Sequence, residues 1–150
     1  MKQKVRIFII ILMALAFFAG CTSDSQVADE VQELAFSLRT EFREYTNEEI
    51  NALLLEEIIS SDPDLWDFMV LEPNKPIQDS TFIQVGAPIE FTDFKFVVQI
   101  GFGCAETGYR LYHILIEDKN VVIEYIIDYW QEQRIPDISL WEDISYFLNQ

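Results

Sequence analysis

Reactive chemistry in this 150-residue chain would have to start from one histidine, His113, and two cysteines, Cys21 and Cys104. A Ser–His–Asp relay could run only through His113, and no Gly-x-Ser-x-Gly turn presents a serine to it. His113 lies in an alternating run between Tyr112 and Ile114, with Leu111 and Leu115 beyond. It reads as a structural strand histidine. Cys104 stands between Gly103 and Ala105, before Glu106 and without a nearby base to hold a thiolate. It reads as a small packed or turn residue. Zinc would want grouped cysteine and histidine, which the chain lacks. Asp62-Pro63-Asp64 and Asp67 offer oxygens for calcium but not in a twelve-residue loop, so they read as a solvated turn. Gly101-Phe102-Gly103 opens like a dinucleotide fingerprint, lacks the later glycine and falls in a hairpin. Carboxylate pairs for glycoside hydrolysis can be drawn anywhere among 26 acids, so none is singled out. The expectation is no catalytic residue, no metal and no cofactor. A small hydrolase built on acids and His113 stands as an alternative.

Cys21 has a different context. Lys2, Lys4 and Arg6 form a basic head, Ile7 to Phe18 is an uncharged apolar run, and Ala19 and Gly20 precede the cysteine. That is the order of a secretory signal. The run is shorter than the roughly 20 apolar residues a spanning helix needs. Phe18-Ala19-Gly20-Cys21 resembles the signal of bacterial lipoproteins, with Phe18 where that family usually has leucine. The resemblance implies removal of residues 1–20, lipidation of Cys21 (palmitate among the acyl chains) and a domain held on a membrane outside the cytoplasm. Thr22 in place of aspartate is similar to lipoproteins sent outward in cells with two membranes. With Cys21 lipidated, Cys104 has no intramolecular partner. Residues 21–29 read as the lipidated cysteine and a polar tether. Residues 30–150 read as one domain, and half the chain is apolar, enough for a real core.

Charge narrows the partners. Three of the ten basic side chains lie in the first six residues, leaving seven against 26 acids. Phosphate contacts need lysine and arginine, and no basic cluster follows Arg6. The charge argues against nucleic acid and against an electrostatic hold on anionic lipid, so membrane attachment is expected through the acyl chains. A strongly negative surface steers basic partners, or simply keeps a protein dissolved. Glu41, Glu44, Glu48, Glu56, Glu57, Asp62 and Asp64 spread acid over the first half.

The elements that would position these groups follow from periodicity. Val27, Val31, Leu34, Leu38, Phe42 and Tyr45 keep helical spacing, while Leu34, Phe36, Leu38, Thr40 and Phe42 keep strand spacing. The helical set is fuller, so 31–42 is expected as a helix giving way to an extended piece near Thr40. Thr46-Asn47-Glu48-Glu49 has the form of a capping box. It opens a helix with Ile50, Leu53, Leu54 and Ile58 on one face, stopped by Pro63. Strands are expected at 65–71, 81–85, 94–102 and 109–116, the last two forming a hairpin around 103–108. Asp118 starts another helix, with Val122, Ile126, Tyr129 and Trp130 inward, and Asp137 caps a short last helix carrying Trp141, Ile144, Phe147 and Leu148. The sum is an α+β domain: an antiparallel sheet of about four strands with helices on one face. Trp66, Trp130, Trp141, Tyr109, Tyr112 and Tyr125 are interface-anchoring types, and most should fill the core instead.

The order Phe68-Met69-Val70-Leu71-Glu72, Thr81-Phe82-Ile83-Gln84-Val85, Tyr109 to His113, Tyr129-Trp130 and Trp141-Glu142 is similar to small bacterial α+β domains. Some of these look like immunity proteins of polymorphic toxin systems. The resemblance covers about Asn47 to Ser145 and implies stoichiometric blocking of a toxin. It transfers no binding residue, and the Phe-Ile-Gln strand is structural in such families. The lipoprotein signal departs from the many relatives of this type that are cytoplasmic, which argues against a nuclease target and points to an envelope-acting toxin. The functional expectation is a lipid-anchored, non-enzymatic binding protein of the cell envelope, in its sharper form an immunity protein. An envelope maintenance or assembly lipoprotein is the alternative.

Overall fold

The computed structural model describes residues 33–104 and 108–149. Cys21, the signal and the tether lie outside the described residues. Seven strands form one antiparallel sheet in the order β2-β1-β3-β4-β5-β6-β7. The strands are β1 (Phe36–Thr40), β2 (Glu44–Tyr45), β3 (Phe68–Pro73), β4 (Ser80–Gly86), β5 (Phe96–Cys104), β6 (Gly108–Ile116) and β7 (Glu142–Asp143). Among the described residues two α-helices, α1 (Ala52–Ser60) and α2 (Lys119–Gln131), complete the α+β architecture. The four expected strands are its centre. The sheet is wider than expected because β1, β2 and β7 extend it on both sides.

β1 corrects the expected helix within 31–42, whose first two residues lie outside the described set. Five consecutive pairings to β3 fix it, from Phe36↔Pro73 to Thr40↔Met69. Phe36 and Leu38 are buried and Ser37 is exposed. Phe36 decides between the two periods. A helix leaves it on the polar side, whereas the strand places its ring edge-on to Tyr129 at 6.2 Å.

The Thr46 capping box does not start α1. Glu49 Oε2 accepts the Thr46 N–H at 2.8 Å, closing a turn ahead of the helix. Asn51 is the cap, extended at φ −152° and ψ 163°, with its side chain accepting from Leu54 N–H. The buried face of α1 is therefore Leu55 and Ile59, with Leu54 and Ile58 beside them, while Leu53 faces solvent. α2 matches its expected face: Val122, Ile126 and Tyr129 are fully buried and Trp130 is partly so. Both α-helices pack on the face that carries Leu38, Met69, Leu71, Ile83, Val85, Val98 and Ile100.

The expected last helix is two pieces. Asp137 caps a turn at Ser139, β7 follows, and Asp143 then accepts from Ser145 N–H to open a 3-10 segment, Ser145–Asn149. The break sends Trp141 to the helix side, against Tyr125. Ile144, Phe147 and Leu148 go to the opposite face, over Phe68, Val70, Phe82 and Leu111. The β3–β4 connection, residues 74–79, ends in a tight turn closed by Ile77 and Ser80, whose two central residues, Gln78 and Asp79, both have positive φ. Gly101 leaves room for the ring of Phe82; an added Cβ would stand 2.2 Å from its Cε1.

Candidate functional site

The alternation of the sheet sets one row of side chains across all seven strands on the face away from α1 and α2. Glu44 pairs with Arg39, Arg39 with Val70, Val70 with Gln84, Gln84 with Gln99, Gln99 with His113, and His113 with Glu142. At its centre Gln84 and Gln99 are each 2% exposed. Gln84 Nε2 donates to Gln99 Oε1 at 3.2 Å, which offsets the cost of burying two amides. The glutamine of the Phe-Ile-Gln strand thus has a structural task in this sheet. At the end of the row His113 Nε2 lies 2.9 Å from Glu142 Oε2.

His113 is therefore partnered on the last strand. Ser145, just after β7, donates its hydroxyl to Asp143 at 2.5 Å and accepts from Leu111 N–H at 3.0 Å. The two pairs hold β7 and the following segment against β6. Glu72 is held above the ordinary carboxylate range by burial, partly offset by Arg39. Tyr129 is pushed well above the usual phenol value by burial, and its hydroxyl lies 3.0 Å from that of buried Ser80. No group of three or more histidine, cysteine or acidic side chains placed to hold a metal occurs among the described residues. Asp62 is exposed and Asp67 half-buried around the 3-10 turn Pro63–Leu65.

The expected aromatic anchors divide. Trp66 and Trp141 are buried in the core, and Tyr112, Tyr125 and Trp130 pack against it. Tyr109 is half-buried on β6. Other apolar side chains carry the exposed surface, and periodicity did not mark them. Phe42, Leu65, Phe94, Leu115 and Leu140 are between 47% and 89% exposed.

Registers place these five at one end of the sheet. Thr40↔Met69, Phe68↔Gly86, Gly86↔Val97 and Phe96↔Ile116 bring one end of β1, β3, β4, β5 and β6 together. Phe42 is in the turn after Thr40, Leu65 precedes β3, Phe94 precedes β5, and Leu115 is near the end of β6. β7 runs antiparallel from Glu142↔His113, so Leu140 approaches the same end. The Phe94 loop is strained and well fastened. Asp93 and Phe94 have φ of 50° and 58°. Thr92 Oγ1 lies 2.7 Å from the Lys95 carbonyl and accepts from Ile89 N–H, and Phe94 N–H donates to the Ile89 carbonyl.

Charge at the surface is one-sided. Arg43 is bound to Glu49 at 2.6 Å, Lys95 to Glu117 at 3.0 Å, and Arg134 to Asp128. Each pair removes a cation from those a partner would meet. Two shallow grooves flank the helices. One of about 470 Å³ runs along Arg43, Tyr45, Glu48, Glu49, Leu53 and Glu57. The other, of about 550 Å³, lies under the end of α2 at Tyr125, Asp128, Arg134 and Ile135 to Ile138. No helix among the described residues is long and apolar enough to cross a membrane. No family model, no curated protein and no solved structure matches the chain.

Proposed function

We propose that this protein is a lipid-anchored, non-enzymatic binding protein of the cell envelope. In its sharper form it is an immunity protein that occludes an envelope-acting toxin such as a peptidoglycan hydrolase, a lipase or a pore former. The observation that carries the reading is the one-sided surface. The domain ties Arg43, Lys95 and Arg134 to its own carboxylates, in a chain with 26 acids and 10 bases. The surface left for a partner is mainly acidic, with Arg110 and Lys119 among its exposed cations, and carries large exposed apolar side chains, which suits a basic protein. The Phe18-Ala19-Gly20-Cys21 segment supplies the anchor in this reading.

Two measurements test it. The full chain, captured from membranes at low and high salt, is expected to bring down a stoichiometric basic protein that salt releases. Recovery of no partner under either condition contradicts the reading. Cys21→Ser is expected to leave binding intact while protection of the cell falls. Equal protection by Cys21→Ser removes the anchoring part.

A further inference from the structure

We infer that the end of the sheet carrying Phe42, Leu65, Phe94, Leu115 and Leu140 is the docking surface for a basic protein partner. This rests on the proposed binding function and adds to it a place and an orientation. Seven large apolar side chains are conspicuously exposed among the described residues, and five of them share this end. The other two, Leu53 on α1 and Tyr146 after β7, lie elsewhere. Apolar side chains gathered at one end, rather than scattered singly, mark an interaction surface.

The chain comes in at the opposite end. Ala35 N–H donates to Asn74 Oδ1, Asn74 N–H donates to the Ala35 carbonyl, and Phe36 pairs with Pro73. The hairpin turn at Gln78 and Asp79 shares that end, through Gly103 N–H to the Asp79 carbonyl. Nine-residue strands such as β5 separate the two ends by about 30 Å. A domain tethered through its N-terminal segment therefore presents the apolar end away from the anchor.

The charges at this end decide the occupant. Exposed Asp62, Glu90, Asp93 and Asp118 lie in the connections at this same end. Arg43 and Lys95 there are already paired with Glu49 and Glu117, and Lys119 stands beside Asp118 at the start of α2. An anionic lipid surface would be repelled, and a second copy would bring the same acid rim. A basic surface with an apolar centre is complementary in both respects.

The test uses the full chain in phosphatidylcholine nanodiscs, with empty nanodiscs as the blank. The probes are two heptapeptides of equal charge, one alternating lysine and leucine and one alternating lysine and serine. The lysine–leucine peptide is expected to bind about tenfold more tightly. The combined variant Leu65→Ser, Phe94→Ser, Leu140→Ser should lose that preference and keep the parent's circular dichroism, since all three side chains are exposed. Leu53→Ser with Tyr146→Ser should keep the preference. An unchanged preference in the first variant, or a lost one in the second, overturns the location and leaves a basic partner standing. Binding of neither peptide at low salt overturns the location and the binding function together. Self-association of the parent that the first variant abolishes overturns the inference in favour of a second copy. Binding to phosphatidylglycerol vesicles that the first variant abolishes overturns it in favour of lipid.

Discussion

Glu72 shows how one residue reports on the polar side of this sheet. It stands on β3 opposite Ser37 of β1, where burial raises its pKa more than Arg39 lowers it, with Glu44 adding to the rise. A carboxyl whose folded pKa lies above its unfolded value binds its proton more readily in the native state. Its charged form then costs stability, fully above the folded pKa, and the cost fades as pH falls through that value toward 4.5. Glu72→Gln removes the charge and nearly keeps the shape. The variant is expected to unfold at a higher urea concentration than the parent at pH 7, and the gap should close on acidification to pH 4. A lower midpoint at pH 7 would mean that attraction to Arg39 outweighs desolvation. Asp143 follows the opposite sign. Hydrogen bonds from Ser145 depress its pKa, so its contribution is lost only as pH falls through that lowered value.

Elements were legible where one local signal had no rival. β4, β5 and β6 alternate against clear turns, and α2 keeps one apolar face between Asp118 and its end. Legibility failed where pairing partners far along the chain decide. Residues 36–40 satisfy both periods, and the choice is made by β3, some thirty residues later. The run from Trp141 to Leu148 reads as one amphipathic helix until β7 pairs with β6 and splits its side chains between two faces. The apolar end was invisible for the same reason: Phe42, Leu65, Phe94, Leu115 and Leu140 meet through register, not spacing. At α1 the Thr46 capping box is the local signal, and the structure places the cap five residues later, at Asn51. Asn51→Ala removes the acceptor for Leu54 N–H and is expected to cost about 1 kcal/mol, read as a lower urea midpoint. Thr46→Ala leaves Glu49 bonded to the residue 46 backbone N–H and should cost less. The reverse order would place the true start of the helix at Thr46.

At the scale of the molecule, electrostatics and packing work against each other. The chain carries a formal charge of −16, and the excess of acid within its folded domain costs self-repulsion. The edge strands β2 and β7 are only two residues long, and short edges offer little template for pairing with another chain. Screening separates the global charge term from the local pairs. Raising ionic strength from about 0.01 M to about 0.15 M shortens the Debye length from about 30 Å to about 8 Å. Repulsion between distant carboxylates is largely removed over that range. The exposed pair Arg43–Glu49 also weakens, but such pairs contribute little individually. The expected result is therefore a urea midpoint for the full chain that rises with sodium chloride. A midpoint that falls would show that the ion pairs stabilise more than the net charge destabilises. The same salt weakens attraction to a basic partner. Stability and docking should thus respond to salt in opposite directions, and loss of the partner at high salt would not be explained by unfolding.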